Sequence, residues 1–136
     1  MDACKNPRYQ KIIVKSASQM GKSELLLNII GYYSHTDPSP MLLIQPTVEM
    51  AEAFSKDRLA PMIRDTKVLN TVFSSAKSRS SNNTILHKTF AGGQITMIGS
   101  NSPSNLAMRP IRILLADEIN RYPDSAGTEG NPVQLA

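Results

Sequence analysis

The sequence has no tryptophan and only one cysteine. A single thiol, Cys4, excludes an internal disulfide and with it the small stapled secreted folds, and it fits a reducing compartment. Aromatic residues are few, four tyrosines and three phenylalanines, so the core of this 136-residue chain must be mainly aliphatic. One domain of that length can bury a real core. No apolar run approaches the roughly 20 residues that span a bilayer, and Met1-Asp2-Ala3-Cys4-Lys5-Asn6-Pro7 has no apolar stretch of the signal-peptide kind. A soluble cytoplasmic protein is the expectation. Acid is also missing where it would matter. Nothing between Asp65 and Asp117 is acidic, while Lys67, Lys77, Arg79, Lys88, Arg109 and Arg112 all lie there. The net charge of +4 and pI of about 9.4 are therefore concentrated in one segment. A surface facing a polyanion reads this way, and so does a solvated face; composition alone weighs them about equally.

What the sequence does contain is organised around Lys15-Ser16-Ala17-Ser18-Gln19-Met20-Gly21-Lys22-Ser23. The apolar run Ile12-Ile13-Val14 precedes it and Glu24-Leu25-Leu26-Leu27-Asn28-Ile29-Ile30 follows. Strand, polar loop, Gly-Lys-Ser and apolar helix is the layout of a phosphate-binding loop. Successive backbone N–H groups cradle phosphate oxygens, and the helix N-terminus adds a partial positive charge. Gly21 allows close backbone approach, Lys22 reaches β/γ oxygens and the Ser23 hydroxyl suits Mg²⁺. The usual pattern has glycine where Ser16 stands. A bare Gly-Lys-Ser/Thr arises by chance in roughly one chain in fifteen of this length, so a second motif is needed.

Ile111-Arg112-Ile113-Leu114-Leu115-Ala116-Asp117-Glu118 supplies it. A nearly continuous apolar run is how a buried parallel strand reads. Acids at its C-terminal end sit where open α/β sheets bind ligands. In this reading Asp117 belongs to the Mg²⁺ shell and Glu118 polarises an attacking water. Either motif alone is common; both in this order are not.

Between them, Gln10–Lys15 is expected to be the first strand and residues 22–34 a helix, apolar nearly all round and therefore buried. His35-Thr36-Asp37-Pro38-Ser39-Pro40 is a turn by composition. Met41-Leu42-Leu43-Ile44 reads as a second buried strand that ends at Gln45-Pro46-Thr47. Thr47 is a good N-cap for a helix from Val48 to about Ile63, with Pro61 ending or kinking it. Strand, helix, strand, helix implies right-handed parallel crossovers. Residues 66–74 suit a short helix and 74–83 a mobile basic loop. Thr84–Phe90 and Gln94–Ile98 around Ala91-Gly92-Gly93 suit a β-hairpin. His87 is read as a strand-surface residue, since no second His or Cys is near it in sequence. Residues 1–9 are expected to be irregular.

Longer stretches carry a resemblance. Lys15 to Glu24, Gln45-Pro46-Thr47-Val48-Glu49-Met50-Ala51, Lys56-Asp57-Arg58-Leu59-Ala60-Pro61-Met62 and Asn83-Thr84-Ile85-Leu86-His87-Lys88 are four of them. Gly99-Ser100-Asn101-Ser102-Pro103-Ser104-Asn105-Leu106-Ala107-Met108-Arg109-Pro110 and Leu114-Leu115-Ala116-Asp117-Glu118-Ile119-Asn120-Arg121-Tyr122-Pro123 are the others. Together they resemble the large terminase subunit of tailed phages, in its lambda GpA-like group, from about Lys11 onward. The resemblance implies a P-loop NTPase-type α/β fold: a mainly parallel sheet flanked by helices, with an inserted β-hairpin. It implies an ATPase, with ATP and Mg²⁺ as cofactors, that drives double-stranded DNA into a capsid. By position it carries the phosphate-binding role to Ser16, Ala17, Ser18, Gln19, Met20, Gly21, Lys22 and Ser23. Metal falls to Ser23 and Asp117, and catalysis to Glu118 and Lys22. Lys77, Arg79, Lys88 and Arg109 become the DNA-facing candidates. The implied partners are DNA, the small terminase subunit and a portal, with a homo-oligomer at full length and no membrane.

Some of the family pattern is not matched. Where some terminases carry an arginine inside the loop, this chain has Ser18 or Gln19, which leaves that role to Arg79, Arg109 or a neighbouring subunit. The core strand expected after the Asp-Glu motif and the nuclease domain have no room, so residues 1–136 read as a partial ATPase domain. Two other readings stand beside the motor. One is an inactive prophage remnant that binds nucleotide or DNA weakly. The other is a helicase-like P-loop ATPase, which Gln45-Pro46-Thr47 and Asn101-Ser102-Pro103 argue against.

Overall fold

In the computed structural model, which describes residues 2–17, 20–77, 84–101 and 110–124, Met41-Leu42-Leu43-Ile44 lies at the heart of the sheet. A run with no polar position suits a strand buried on both faces. All five residues of β1 (Met41–Gln45) are buried. Before it come α1 (Asp2–Lys5) and α2 (Lys22–His35). After it come α3 (Val48–Phe54), a π-helical turn (Ser55–Leu59), α4 (Ala60–Asp65) and α5 (Lys67–Lys77). Then follow β2 (His87–Phe90), β3 (Gly93–Gly99), β4 (Ile113–Ala116) and a 3-10 turn (Ile119–Arg121). The sheet order is β2-β3-β1-β4. β1 is parallel to both neighbours, with Ile44 opposite Ile98 in β3 and Ala116 in β4. β2 and β3 are antiparallel, joined through Ala91 and Gly92, the latter at φ +87°.

The result is a mixed α/β fold with a mostly parallel sheet. Alternation along the strands decides which helices go where. Met41, Leu43, Ile95, Met97 and Leu115 point to one face and share a core with Leu27, Ile30 and Tyr33 of α2, Phe54 of α3, Ile63 of α4 and Leu69 and Phe73 of α5. Leu42, Ile44 and Ile98 form a smaller cluster on the other face, against Ile111 and Tyr122. Arg112 ties the start of β4 to the turn before β1. Its guanidinium donates to Asp37 Oδ1 at 2.9 Å and Ser39 Oγ at 2.8 Å. No helix among the described residues is long and apolar enough to cross a membrane.

Several expectations need correction. The strand before Asp117 is not buried on both faces: β4 lies at the sheet edge, with Leu115 buried and Leu114 36% exposed. The strand at Gln10–Lys15 is not formed: residues 11–17 are irregular and exposed, and Ile13 is 76% exposed. An apolar run becomes a strand only with a ladder partner, and none of the four strands pairs with this one. Pro61 does not end its helix, which continues from Val48 to Asp65. Proline would clash with the carbonyl four residues back. The π-helical turn just ahead, closed by Ala60 N–H to Ser55 O, is one residue wider and rearranges that ladder. Thr84 to Leu86 lie outside β2, which begins at His87. Asp2–Lys5 is a helical turn, not irregular, and Cys4 O accepts from the buried Tyr33 hydroxyl at 2.7 Å. Ser74 to Lys77 belong to α5; the remainder of the expected basic loop, residues 78–83, falls outside the described residues.

Candidate functional site

Two sets of sequence-predicted residues meet the structure differently. Along the loop, Ser16 and Ala17 are exposed, and the Ser16 hydroxyl reaches only Ala17 O, at 3.4 Å. Ser18 and Gln19 lie outside the described residues. Met20 is 70% exposed. Gly21 caps α2 at φ +74° and ψ +20°, in the left-handed region. A Cβ there would meet nothing within 4 Å, so the glycine serves the backbone angle and not a tight fit. Its carbonyl accepts the N–H groups of Glu24 and Leu25 at 3.1 and 3.2 Å.

No side chain caps α2. The Lys22 and Ser23 N–H groups therefore keep the unfilled donor capacity of a helix start, with the helix dipole behind them. Both residues are half-buried in that first turn, and Lys22 forms no ion pair with a described residue. Amide donors, a left-handed glycine, a free ammonium and a hydroxyl are a donor set that fits phosphate.

The acidic end is built more tightly. Asp117 N–H donates to Ile44 O at 3.1 Å, which extends the β1–β4 ladder by one bond. Gln45, 2% exposed, closes β1 and donates its side-chain amide to Asp117 Oδ2 at 3.2 Å. Ser100 fixes the segment behind it: its N–H donates to Gln45 O and its hydroxyl to Pro46 O, each at 2.8 Å. Glu118 is the one described non-glycine residue at positive φ, at +48°. For a glutamate that backbone is uncommon and costs energy. The 3-10 turn that follows holds it, with Arg121 N–H to Glu118 O and Arg121 Nη1 to Glu118 Oε2, both 2.8 Å. Tyr122 completes the corner by donating its hydroxyl to Ile44 O at 2.7 Å. Burial, and then the charge of Asp117, push the Tyr122 hydroxyl well above the ordinary tyrosine range.

The helix that α3 starts is also anchored here. Thr47 Oγ1 accepts from Met50 N–H at 3.3 Å, the expected N-cap. Glu49 is held below the usual carboxylate range by its own backbone N–H and by the Thr47 hydroxyl. Gly99 lies opposite Gln45, and a Cβ there would come within 2.7 Å of Val48 N. Only glycine lets β3 end so close to the start of α3.

No hydrogen bond or ion pair among the described residues links Lys22 or Ser23 to Asp117 or Glu118. What relates them is topology. α2 leads into the N-terminal end of β1, and Asp117 follows the C-terminal end of β4, which is parallel to β1. No cluster of three or more His, Cys, Asp or Glu side chains suited to a metal is present among the described residues.

Of the basic candidates, Lys77 is the last residue of α5 and Lys88 is half-buried in β2. Arg79 and Arg109 lie outside the described residues. His87 is half-buried, with Nδ1 2.9 Å from Thr96 Oγ1. Sequence reading overlooked Gln45, Arg121 and Tyr122. The signal for Gln45 was a polar residue closing an otherwise unbroken apolar run; for Arg121 it was the i,i+3 spacing from Glu118.

The sequence matches the family described as phage terminase large subunit gpA, ATPase domain, over residues 1–136. The terminase large subunit of Enterobacteria phage P21 is 27% identical over 124 residues, which is 90% of this chain and 19% of that protein. The terminase large subunit of Escherichia phage lambda is 25% identical over 136 residues, 99% of this chain and 21% of that protein. The chain thus spans about a fifth of the length of the curated relatives it matches. No solved structure matches it significantly.

Proposed function

Because the chain belongs to the family of phage terminase large subunit ATPase domains, we propose that it is the ATP-hydrolysing part of a DNA-packaging motor. In that role it couples hydrolysis to movement of double-stranded DNA into a capsid. The observation that carries the reading is the start of α2. A left-handed Gly21 opens a helix whose first turn offers Lys22, Ser23 and uncapped amides.

ATP with Mg²⁺ supplies the phosphoryl group and most of the charge neutralisation of such a reaction. The chain's own residues bind and orient. Residues 16–23 wrap the phosphates, with Lys22 against the β/γ oxygens. Ser23 and Asp117 present a hydroxyl and a carboxylate to the cation. Glu118 orients the water, with Arg121 holding its Oε2. Lys77, Arg79, Lys88 and Arg109 form the DNA-facing set. Their contacts would be to phosphates, independent of base sequence and weakened by salt, as a motor that grips any sequence requires. The whole motor would add the small subunit, a portal and further copies of itself.

One observation favours a second reading for residues 1–136 taken alone. The stretch leading into the loop, Ile12-Ile13-Val14, is exposed and unpaired. A loop anchored on one side only is consistent with nucleotide binding without turnover.

ATP binding and turnover with Mg²⁺, measured beside Glu118→Gln and Lys22→Ala, tests both. Hydrolysis that falls at least about 100-fold in Glu118→Gln with binding retained, and binding lost in Lys22→Ala, is the expected pattern. Unchanged nucleotide affinity in Lys22→Ala would sink the assignment. Binding without turnover in the parent chain would select the second reading.

A further inference from the structure

We infer that Gln45 is a positioning residue for Asp117, holding one carboxylate oxygen so that the other faces the cation; this rests on the metal-shell role proposed for Asp117. A buried glutamine is costly unless its amide is paired. A side-chain amide taken out of water needs partners, and a residue at 2% exposure closing the central strand could as well have been leucine for packing alone. The partner present is Asp117 Oδ2, at 3.2 Å. An ionised carboxylate only accepts, so the group facing it is the NH₂. No described residue donates to the other oxygen, Oδ1.

The choice of a neutral donor has a chemical consequence. A lysine or arginine in this place would hold the carboxylate equally well, but would cancel its charge and repel a divalent cation. An amide orients the carboxylate and leaves its full negative charge. A carboxylate with one oxygen fixed by a hydrogen bond and the other presented to a metal is a recurrent arrangement, and loss of the outer partner usually costs 10–100-fold in metal affinity or activity.

Gln45 itself cannot easily drift. Its carbonyl is held by Ser100 N–H and the next carbonyl by the Ser100 hydroxyl. Gly99 opposite it lets α3 pack directly against the strand end. The amide is therefore carried by the centre of a sheet, not by a loop, which is where precise positioning is cheapest to maintain.

The test uses the chain of residues 1–136, a fluorescent ATP analogue and Mg²⁺. Nucleotide affinity is titrated against Mg²⁺ and, separately, measured in EDTA, with melting curves alongside. Gln45→Met is nearly isosteric and cannot donate. It should raise the Mg²⁺ concentration for half-maximal tightening about tenfold, leave affinity in EDTA unchanged and shift Tm little. Gln45→Asn keeps a donor one methylene short and should fall between. Asp117→Asn should remove the Mg²⁺-dependent tightening, and adding Gln45→Met to it should change nothing further, since the two act through one contact. An unaltered Mg²⁺ titration in Gln45→Met, with Asp117→Asn defective, overturns the inference alone. So does a Gln45→Met that loses affinity equally with and without Mg²⁺, because that is a packing defect. A normal Asp117→Asn overturns the metal-shell reading itself, and the inference with it.

Discussion

The two halves of the candidate site are made in opposite ways. The acidic half is closed before any ligand arrives: Asp117 is held by a ladder bond and by Gln45, and Glu118 by Arg121 in a constrained backbone. The loop half is open. Residues 11–17 are exposed, Gly21 stands in free space, and the amides of the α2 start have no side-chain cap. In the proposed function the difference follows from what each half would meet. A small cation demands fixed oxygens. A triphosphate brings many acceptors of its own and can order the chain around them, at an entropic cost drawn from binding. On that proposal one half is preorganised and the other would be completed by its ligand.

Stability measurements can break that comparison. The largest effect is expected in the closed half. Leu43→Ala, at a fully buried position of β1, should cost roughly 2–5 kcal/mol in urea unfolding. The equivalent cut in the open half, Ile13→Ala, should stay within about 0.5 kcal/mol. Similar losses at both positions would mean that residues 11–17 are packed in solution, and the contrast would fall.

A smaller effect is expected at Tyr122. Tyr122→Phe removes the bond to Ile44 O and should cost about 1 kcal/mol near neutral pH. The sign of its pH dependence follows from linkage. The hydroxyl is raised in the fold above its ordinary value of 10.0, so the unfolded chain gives up the proton first. The contribution is whole below about pH 10 and is lost as pH rises above it. Tyr33 is raised in the same sense, chiefly by burial, so the informative quantity is the difference between parent and variant across pH 9 to 11.5. Parallel curves would show that Tyr122 is solvated, and the corner looser than described.

Smaller still, Thr47→Ala should cost about 1 kcal/mol or somewhat less through loss of the α3 cap. It should also let Glu49 titrate closer to the ordinary glutamate value. An NMR titration in which Glu49 does not move would detach that carboxylate from the cap.

The same division governs what could be read from residues alone. Met41–Ile44 has one solution wherever it sits, a strand with two wet faces denied to it, and Thr47 caps through a contact three residues away. Both were legible. The strand ending in Asp117-Glu118 was legible too, but not its burial: β4 is an edge strand in which only Leu115 is buried. The family itself was legible in six stretches, from Lys15 to Pro123. Ile12-Ile13-Val14 misled, since its strand-like pattern says nothing about whether a neighbour exists to pair with it. The tie from Gln45 to Asp117 was out of reach for another reason. It joins residues 72 positions apart, and no periodicity reports a contact that only the sheet order creates. Of the two outcomes expected at Pro61, an end or a kink, the end does not occur. A wider turn ahead of it keeps the helix whole.

The position of β1 also sets an order of events during synthesis. Its neighbours arrive late: Pro46 waits 54 residues for Ser100, and Gln45 waits 72 for Asp117. A ribosome adding about 5–20 residues per second therefore exposes this fully buried strand for seconds, flanked only by local helices. Such non-local parallel pairing folds slowly and is prone to aggregation. Yield in the cell should depend on holdase chaperones and on translation speed between residues 45 and 117 more than on the final stability of the domain.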